Sequence, residues 1–448
     1  MLKWLDFYTN FVYIVGMEKV IAEILREFYE NGVPTDVCRR PVYFLEKKRN
    51  ATSIIGMRRT GKTYITYQRM HELIDAGLPL NRIVYVNFDD ERLRGIKVDD
   101  LHLIGDVHAT MFPEAAREKC WYFLDELQDV DGWEFYARRL IDSGLVQLCV
   151  TGSSSKLLSS EVATQLRGRS LDMEVFPLSF SEFLQFNGIF KTVPEEPFSS
   201  RTCGLLRNAM ARYLDEGGFP DVQGENVRVR NKLLQEYVNA VVFRDVIERH
   251  EISSVQALRY TLDYVIHNYA RKVSTRAISG TLKAMGISDN REYISNYLRY
   301  LADAYLIYPV SIRTDSVSVR RTNPDKYYMV DTGVVRAMTP KNDAEKGWLL
   351  ENLVFMHFRR GNNKIEYYIN RAGGEVDFLV TNLDTKSRRL VQVAWDMEQQ
   401  DTFKREIDAI RLAKEEIKVK NCCIVTWNSE TILEDGINVI PIWKFCLE

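Results

Sequence analysis

Long apolar runs are missing from this sequence. No uncharged stretch reaches the roughly 18 residues needed to cross a bilayer, which argues against an integral membrane protein. Cysteine is sparse: the seven thiols, at positions 38, 120, 149, 203, 422, 423 and 446, contain no C-x-x-C spacing. An odd count without framework spacing points to reduced, buried thiols in a cytoplasmic protein. The six histidines are scattered, and His102 and His108 fall outside usual metal-ligand spacing, so no His/Cys metal site is read. Net charge is nearly absent too, with 60 Lys+Arg against 62 Asp+Glu. The chain therefore has no global field for nucleic acid, and any such contact must come from a local patch. The ordinary counts of 24 glycines and 12 prolines, with 27% charged residues, exclude collagenous, low-complexity and wholly disordered chains.

What is present is 448 residues of 46% apolar content. At roughly 100–200 residues per domain this implies two to four domains, each with its own core. The opening MLKWLDFYTNFVYIVG resembles a short apolar leader, but Asp6 interrupts it and no A-x-A site follows, so no secretory signal is read. A charged helical pattern begins at Met17, a candidate start.

Residues 17–50 read as helical, first in IAEILREFY and then in VYFLEKKR. Short apolar runs then alternate with helical patterns: TSIIG, IVYVNF, WYFLDE, VQLCVTG and LDMEVF. Five such runs separated by helices predict a parallel α/β sheet. From Pro177 the pattern turns helical, with GGFPD (217–221) as a turn between two helices. Residues 255–312 hold three helical segments, and 326–448 return to mixed strands and helices. The helix at 401–420 mixes charges of both signs, as a solvated face does. The expected division is 1–36, an N-terminal helical segment; 37–180, the α/β core; 181–254, a helical lid; 255–325; and 326–448.

Gly56-Met57-Arg58-Arg59-Thr60-Gly61-Lys62-Thr63 fits G-x-x-x-x-G-K-[ST], a P-loop, placed between a predicted strand and a predicted helix. The glycines let backbone N–H groups wrap a phosphate, Lys62 reaches the β/γ-phosphates of ATP, and the Thr63 hydroxyl ligates Mg²⁺. The helix that follows, from Tyr64, adds its N-terminal dipole. About sixty residues on, Phe123-Leu124-Asp125-Glu126 ends a buried strand in two carboxylates, as a Walker B motif does. Asp125 is the candidate for the Mg²⁺ shell and Glu126 for polarising the attacking water. Thr151, Ser153 and Ser154 put hydroxyls at the carboxyl edge of the next strand, where α/β ligands bind. Ser153 is the first choice as a γ-phosphate sensor and Thr151 the second; a plain Gly/Ser turn is the alternative. Arg167 and Arg169 follow a predicted helix, KLLSSEVATQL, and either serves as a trans finger for a neighbouring subunit or caps that helix. Arg169 is the better finger candidate.

On these residues the chain resembles an AAA+ ATPase, and within that group a bacterial and archaeal family joining an AAA domain to a C-terminal domain of unknown function. Gly56–Thr63 resembles the family's GxRRxGKT loop, which brings in Arg58, Arg59, Thr60 and Tyr64 as nucleotide-side residues. Phe123–Gln128 resembles its hydrophobic-D-E-x-Q segment, with Gln128 a family mark. Thr151–Ser154, Arg167–Arg169, Pro177–Leu184 and Gly217–Asp221 resemble its T-G-S-S, G-R, P-L-S-F-x-E-F-L and G-G-F-P segments. The resemblance implies a P-loop NTPase sheet of order 5-1-4-3-2, a helical lid, ATP or ADP as ligand and a homo-oligomer.

Residues 255–325 resemble a winged helix, in which Arg291, Asn296 and Arg299 could face DNA and Arg313, Arg320 and Arg321 lie on the wing. Ser288 or Asp289 would cap its helix. Protein contact or interdomain packing is the alternative, because Asp289, Glu292 and Asp303 dilute the charge. The last domain resembles the restriction-endonuclease-like α/β fold through Glu351, Glu375-Val376-Asp377 and Gln392-Val393-Ala394. That resemblance implies carboxylates around a metal and a lysine two positions on. Here an amide and an alanine stand at those places, which predicts a scaffold without nuclease activity. Lys386 or Arg371 are the nearby cations that could take over the lysine's role. Two functions fit the whole: a Mg²⁺-dependent ATPase acting on DNA or a DNA-bound partner, or a nucleotide-gated switch of the STAND type. A phosphotransferase is a weaker third.

Overall fold

The first β-strand of this chain is buried at every position, which is what a central strand of a parallel sheet requires. The structure, a computed structural model, describes residues 2–153, 166, 168–287, 291–339, 346–395 and 400–448, with the backbone alone at 2–15 and 400–403. The chain divides into two units, Met1–Val175 and Phe176–Glu448.

In the first unit, helix α1 (Leu2–Asn31) precedes β1 (Ala51–Ile55), α2 (Lys62–Asp75), β2 (Ile83–Asn87), α3 (His102–Met111), β3 (Cys120–Asp125), α4 (Trp133–Ser143), β4 (Val146–Gly152) and β5 (Ser170–Glu174). The five strands are parallel in the order β2-β3-β4-β1-β5, which is the 5-1-4-3-2 order that the resemblance implies. One face of the sheet packs Ile54, Phe123, Cys149 and Met173 against Phe28 of α1 and Ile65, Met70 and Leu73 of α2. β4 thus lies between the strand that leads into the P-loop and the strand that ends in Asp125.

VYFLEKKR is not a helix. Residues 41–47 run without regular structure, and Val42, Phe44 and Glu46 turn inward while their neighbours are exposed. The period is two because tertiary contacts fix it. Arg69 holds Glu46 with two bonds of 2.6 and 2.7 Å, Gln68 bonds the backbone of Arg40, and Thr52 donates to Leu45 O. The predicted helix KLLSSEVATQL lies, but for its last residue, outside the described residues, as do Ser154, Arg167, Ser288 and Asp289.

The second unit opens with α5 (Phe180–Phe186), α6 (Ser200–Glu216) and α7 (Val227–Ala240), which continues as a π-helix over Val241–Glu248. Ser179 and Glu182 form a reciprocal capping box at the start of α5, so part of the P-L-S-F-x-E segment is a helix-start signal. Next come α8 (Val255–His267), β6 (Arg271–Lys272), α9 (Thr275–Ala284), α10 (Arg291–Asp303), β7 (Ile307–Val310), α11 (Val317–Thr322) and β8 (Lys326–Met329). The strands make an antiparallel sheet, β6-β8-β7. The elements run helix, strand, helix, helix, strand, strand, with short α11 between β7 and β8. The chain then runs through α12 (Thr332–Met338), α13 (Lys346–Arg359), β9 (Asn363–Ile369), β10 (Glu375–Asn382), β11 (Arg388–Ala394), α14 (Gln400–Ile417), β12 (Asn421–Thr426), β13 (Thr431–Ile432), β14 (Asn438–Pro441) and α15 (Ile442–Phe445). Its mixed sheet has the order β13-β14-β12-β11-β10-β9. Among the described residues no helix is long and apolar enough to cross a membrane.

Candidate functional site

The turn after β1 is built by backbone constraint. Gly56 has φ +140°, and a Cβ there would lie 2.3 Å from the carbonyl oxygen of Val175 beside β5, so no side chain fits. Arg59 (φ 68°) and Gly61 (φ 95°) are also left-handed, which closes the loop tightly. Gly61 caps α2 without offering a side chain. The first N–H groups of that helix have no intrahelical partner, and with the helix dipole they suit an anion. Thr60 donates to Met57 O at 2.9 Å and Arg40 donates to Thr60 O at 3.0 Å, bracing the turn. Lys62 is 4% exposed; its Nζ donates to Gly56 O and Met57 O, both at 3.2 Å, and lies 3.6 Å from Glu126. Arg58 is half-buried, while Arg59 and Tyr64 are exposed on the outer side of the loop.

The two carboxylates at the end of β3 are both buried, yet they are driven in opposite directions. Burial raises the pKa of Asp125, and the neighbouring Glu126 charge adds to that; donation from Thr151 and Thr63 offsets part of it. Glu126 feels the same burial, but Lys62, Arg58 and Gln128 outweigh it and hold the carboxyl below its ordinary value. Thr63 donates to Asp125 at 2.8 Å and Tyr85 donates at 3.2 Å. Thr151, fully buried on β4, donates to Asp125 and accepts the Glu126 N–H at 2.9 Å. Gln128 donates to Glu126 at 2.6 Å. Glu126 itself sits at φ 55°, a left-handed conformation uncommon for glutamate, in which its own N–H meets Thr151. Hydroxyl and carboxylate oxygens side by side are the hard donors that Mg²⁺ takes, so Thr63 and Asp125 fit such an ion.

Lys62, Thr63, Asp125, Glu126 and Thr151 are therefore one cluster. Ser153, the first choice for a sensor, is fully buried just beyond β4, and Thr151, the second, reaches the Asp125 carboxylate and the Glu126 backbone. Arg169 pairs with Asp142 of the same chain and is only about one-third exposed. Tyr85 was not visible as a site residue in sequence, because a tyrosine inside a strand reads as core.

Comparison with known proteins matches residues 48–184 to an AAA domain. A domain of unknown function (DUF8612) matches residues 207–345, and another (DUF4143) matches 346–445. An uncharacterised protein of Methanocaldococcus jannaschii is 33% identical, over 97% of this chain and 96% of its own length. The chain belongs to the AAA+ family that joins an AAA domain to a C-terminal domain of unknown function. An uncharacterised protein of Haemophilus influenzae is 27% identical over 88% of this chain and 94% of its own. Among solved structures, the Aeropyrum pernix ORC1 protein in complex with DNA is similar at 16% identity and a TM-score of 0.28, over 72% of this chain and 91% of that one. As a member of this family the chain carries a nucleotide-binding domain.

Two of the family's segments meet inside the second unit of this AAA+ protein. Leu178 N donates to Gly218 O at 2.6 Å, and Asp331 accepts the Gly218 N–H at 2.8 Å. A Cβ on Gly217 would lie 1.9 Å from Asp331, which is why the turn is spelled with glycines. Within residues 255–325, α10 buries Ile294, Tyr297, Leu298 and Leu301 and leaves Arg291 and Arg299 exposed. Asn296 is half-buried, Arg313 pairs with Asp315 at 2.8 Å, Arg320 lies 3.7 Å from Glu366, and Arg321 is exposed.

The C-terminal mixed-sheet part gathers the acids named in sequence around a lysine that the sequence did not disclose. Glu351, Glu375 and Asp377 converge on Lys326 of β8, whose Nζ lies 2.9, 2.7 and 3.2 Å from them. Gln392 accepts the Asp377 N–H at 3.2 Å and donates to Glu406. Arg371 and Lys386, the cations considered for this place, do not line the pocket. Burial raises the pKa of Glu351 and of Asp377. Burial opposes the charge on Lys326, but the surrounding carboxylates overcome it and raise its pKa.

Proposed function

We propose that the chain binds ATP with Mg²⁺ at the loop and hydrolyses it. The observation that carries this reading is the single cluster of Lys62, Thr63, Asp125 and Glu126 against an uncapped helix start. Lys62 exchanges its loop carbonyls and Glu126 for the β/γ-phosphates. Thr63 and Asp125 hold the ion, which neutralises phosphate charge. Glu126, released by Lys62 but still held by Gln128, orients the attacking water. Thr151 fixes the Asp125 carboxylate and the Glu126 backbone and is a sensor candidate beside Ser153. In this reading residues 37–180 turn nucleotide over and 181–254 act as the lid. Residues 255–325 meet DNA or a DNA-bound partner through Arg291, Arg299 and Arg321, and 326–448 serve as a scaffold without nuclease activity.

The test is ATP binding and turnover, with and without single- and double-stranded DNA. Lys62→Ala should weaken binding, whereas Glu126→Gln should bind normally and turn over about 10²-fold more slowly or worse. Unchanged turnover in Glu126→Gln would remove that residue from the reaction. Wild-type binding without any turnover would leave a nucleotide-gated switch instead. For the scaffold, no cleavage of linear, circular or branched DNA is expected with Mg²⁺ or Mn²⁺; cleavage lost in Asp377→Ala would reverse that reading.

A further inference from the structure

Lys326 is 4% exposed, yet its ammonium keeps its charge in the lining of a pocket of about 790 Å³. Glu351 arrives from α13, and Glu375 and Asp377 from β10, so two elements aim acids at a cation supplied by a third. Their oxygens stand 2.7–3.2 Å from the nitrogen. That is the radius an ammonium sets; Mg²⁺ would draw oxygens to about 2.1 Å and Ca²⁺ to about 2.3–2.6 Å. The remaining charges also close around the lysine. Glu375 has a second cation, Lys272, at 2.6 Å. Glu351 takes hydrogen bonds from both Lys326 and the buried Tyr328 hydroxyl, the latter at 2.7 Å. Asp377 takes the Val393 N–H at 3.0 Å with its other oxygen. Each acid of the cluster thus has a second donor besides Lys326.

We propose that Lys326 is the resident cation of this pocket, standing at the point where a divalent metal would otherwise be held by Glu351, Glu375 and Asp377. The wild-type pocket is closed to divalent ions, and removing the ammonium opens it. The opened site favours Ca²⁺ over Mg²⁺, because the acids need to move inward least for the larger ion. The inference supplies a physical reason for the scaffold reading but is read out by metal binding, so either can fail without the other.

The experiment is calorimetric titration of CaCl₂ and MgCl₂ into nucleotide-free, full-length protein. Wild type should take up no ion at this pocket. Lys326→Ala should gain one equivalent of Ca²⁺, bound about tenfold more tightly than Mg²⁺, and Lys326→Ala with Glu375→Gln should lose most of that gain. If Lys326→Ala leaves its acids too repelled to fold alone, its folding should become dependent on Ca²⁺, which reads the same site. A folded Lys326→Ala that binds no ion, a variant that no Ca²⁺ concentration rescues, or wild-type uptake abolished by Glu375→Gln would each overturn the proposal.

Discussion

Thr151→Val removes one hydroxyl from the centre of the nucleotide site while keeping its shape. Two bonds go with it: a donation to the buried Asp125 carboxylate and the acceptance of the Glu126 N–H at 2.9 Å. A bond to a charged group contributes about 1.5–3 kcal/mol and a neutral one about 0.5–1.5. No water reaches a position that is fully buried. The variant should therefore lose about 2–4 kcal/mol in a denaturant titration. Thr151→Ser keeps both bonds and gives up one methyl, which costs about 1 kcal/mol. The order wild type, Ser, Val is the signature of hydrogen bonding rather than packing. The same change has a second readout. Thr151 is one of the groups that hold down the raised pKa of Asp125, so Val lets that pKa climb further. A protonated Asp125 cannot serve a cation. Mg²⁺-dependent nucleotide affinity should then fall more steeply as the pH is lowered in Val than in Ser. A Val variant as stable as wild type, with the Ser variant weaker than both, would refute the hydrogen-bond argument.

If neighbours complete each site through Arg169, mixing inactive Arg169→Ala and Glu126→Gln protomers should restore some hydrolysis. No recovery in a preparation shown to exchange subunits would leave Arg169 as the intrachain partner of Asp142. His357 has its pKa pushed down to about 4 by burial, with Arg360 and Arg389 adding to it. The folded state refuses a proton that the unfolded chain accepts below about 6.5, so stability is complete above that value and is lost as the pH falls toward 4. The loss from this group should reach about 2 kcal/mol at pH 5 and vanish in His357→Phe, as denaturant titrations at pH 7 and pH 5 would read. Equal pH slopes in both proteins would remove His357 as the cause.

The parallel sheet of the first unit and the chemistry of its loop were legible in sequence because both rest on local signals, whereas the strand order came only with the family resemblance. Gly56 and Gly61 are spelled by backbone geometry, Lys62 and Thr63 by their spacing from it, and Asp125-Glu126 by the end of an apolar strand. The alternation of strand and helix patterns was enough to predict a parallel sheet, since each buried strand is a continuous apolar run. Contacts between distant positions left no such signal. Nothing near Thr151 or Tyr85 tells that their hydroxyls reach a carboxylate 26 or 40 residues away. The segment at 41–47 has apolar residues that suit a helix, but Arg69 and Gln68 pin it straight. Lys326 is the clearest case. It lies 25 residues before Glu351 and 51 before Asp377, in a strand whose spelling, KYYM, announces only β structure. A lysine's charge is indifferent to its neighbours in sequence; only folding brings three acids around it in a place dry enough for the pairing to matter.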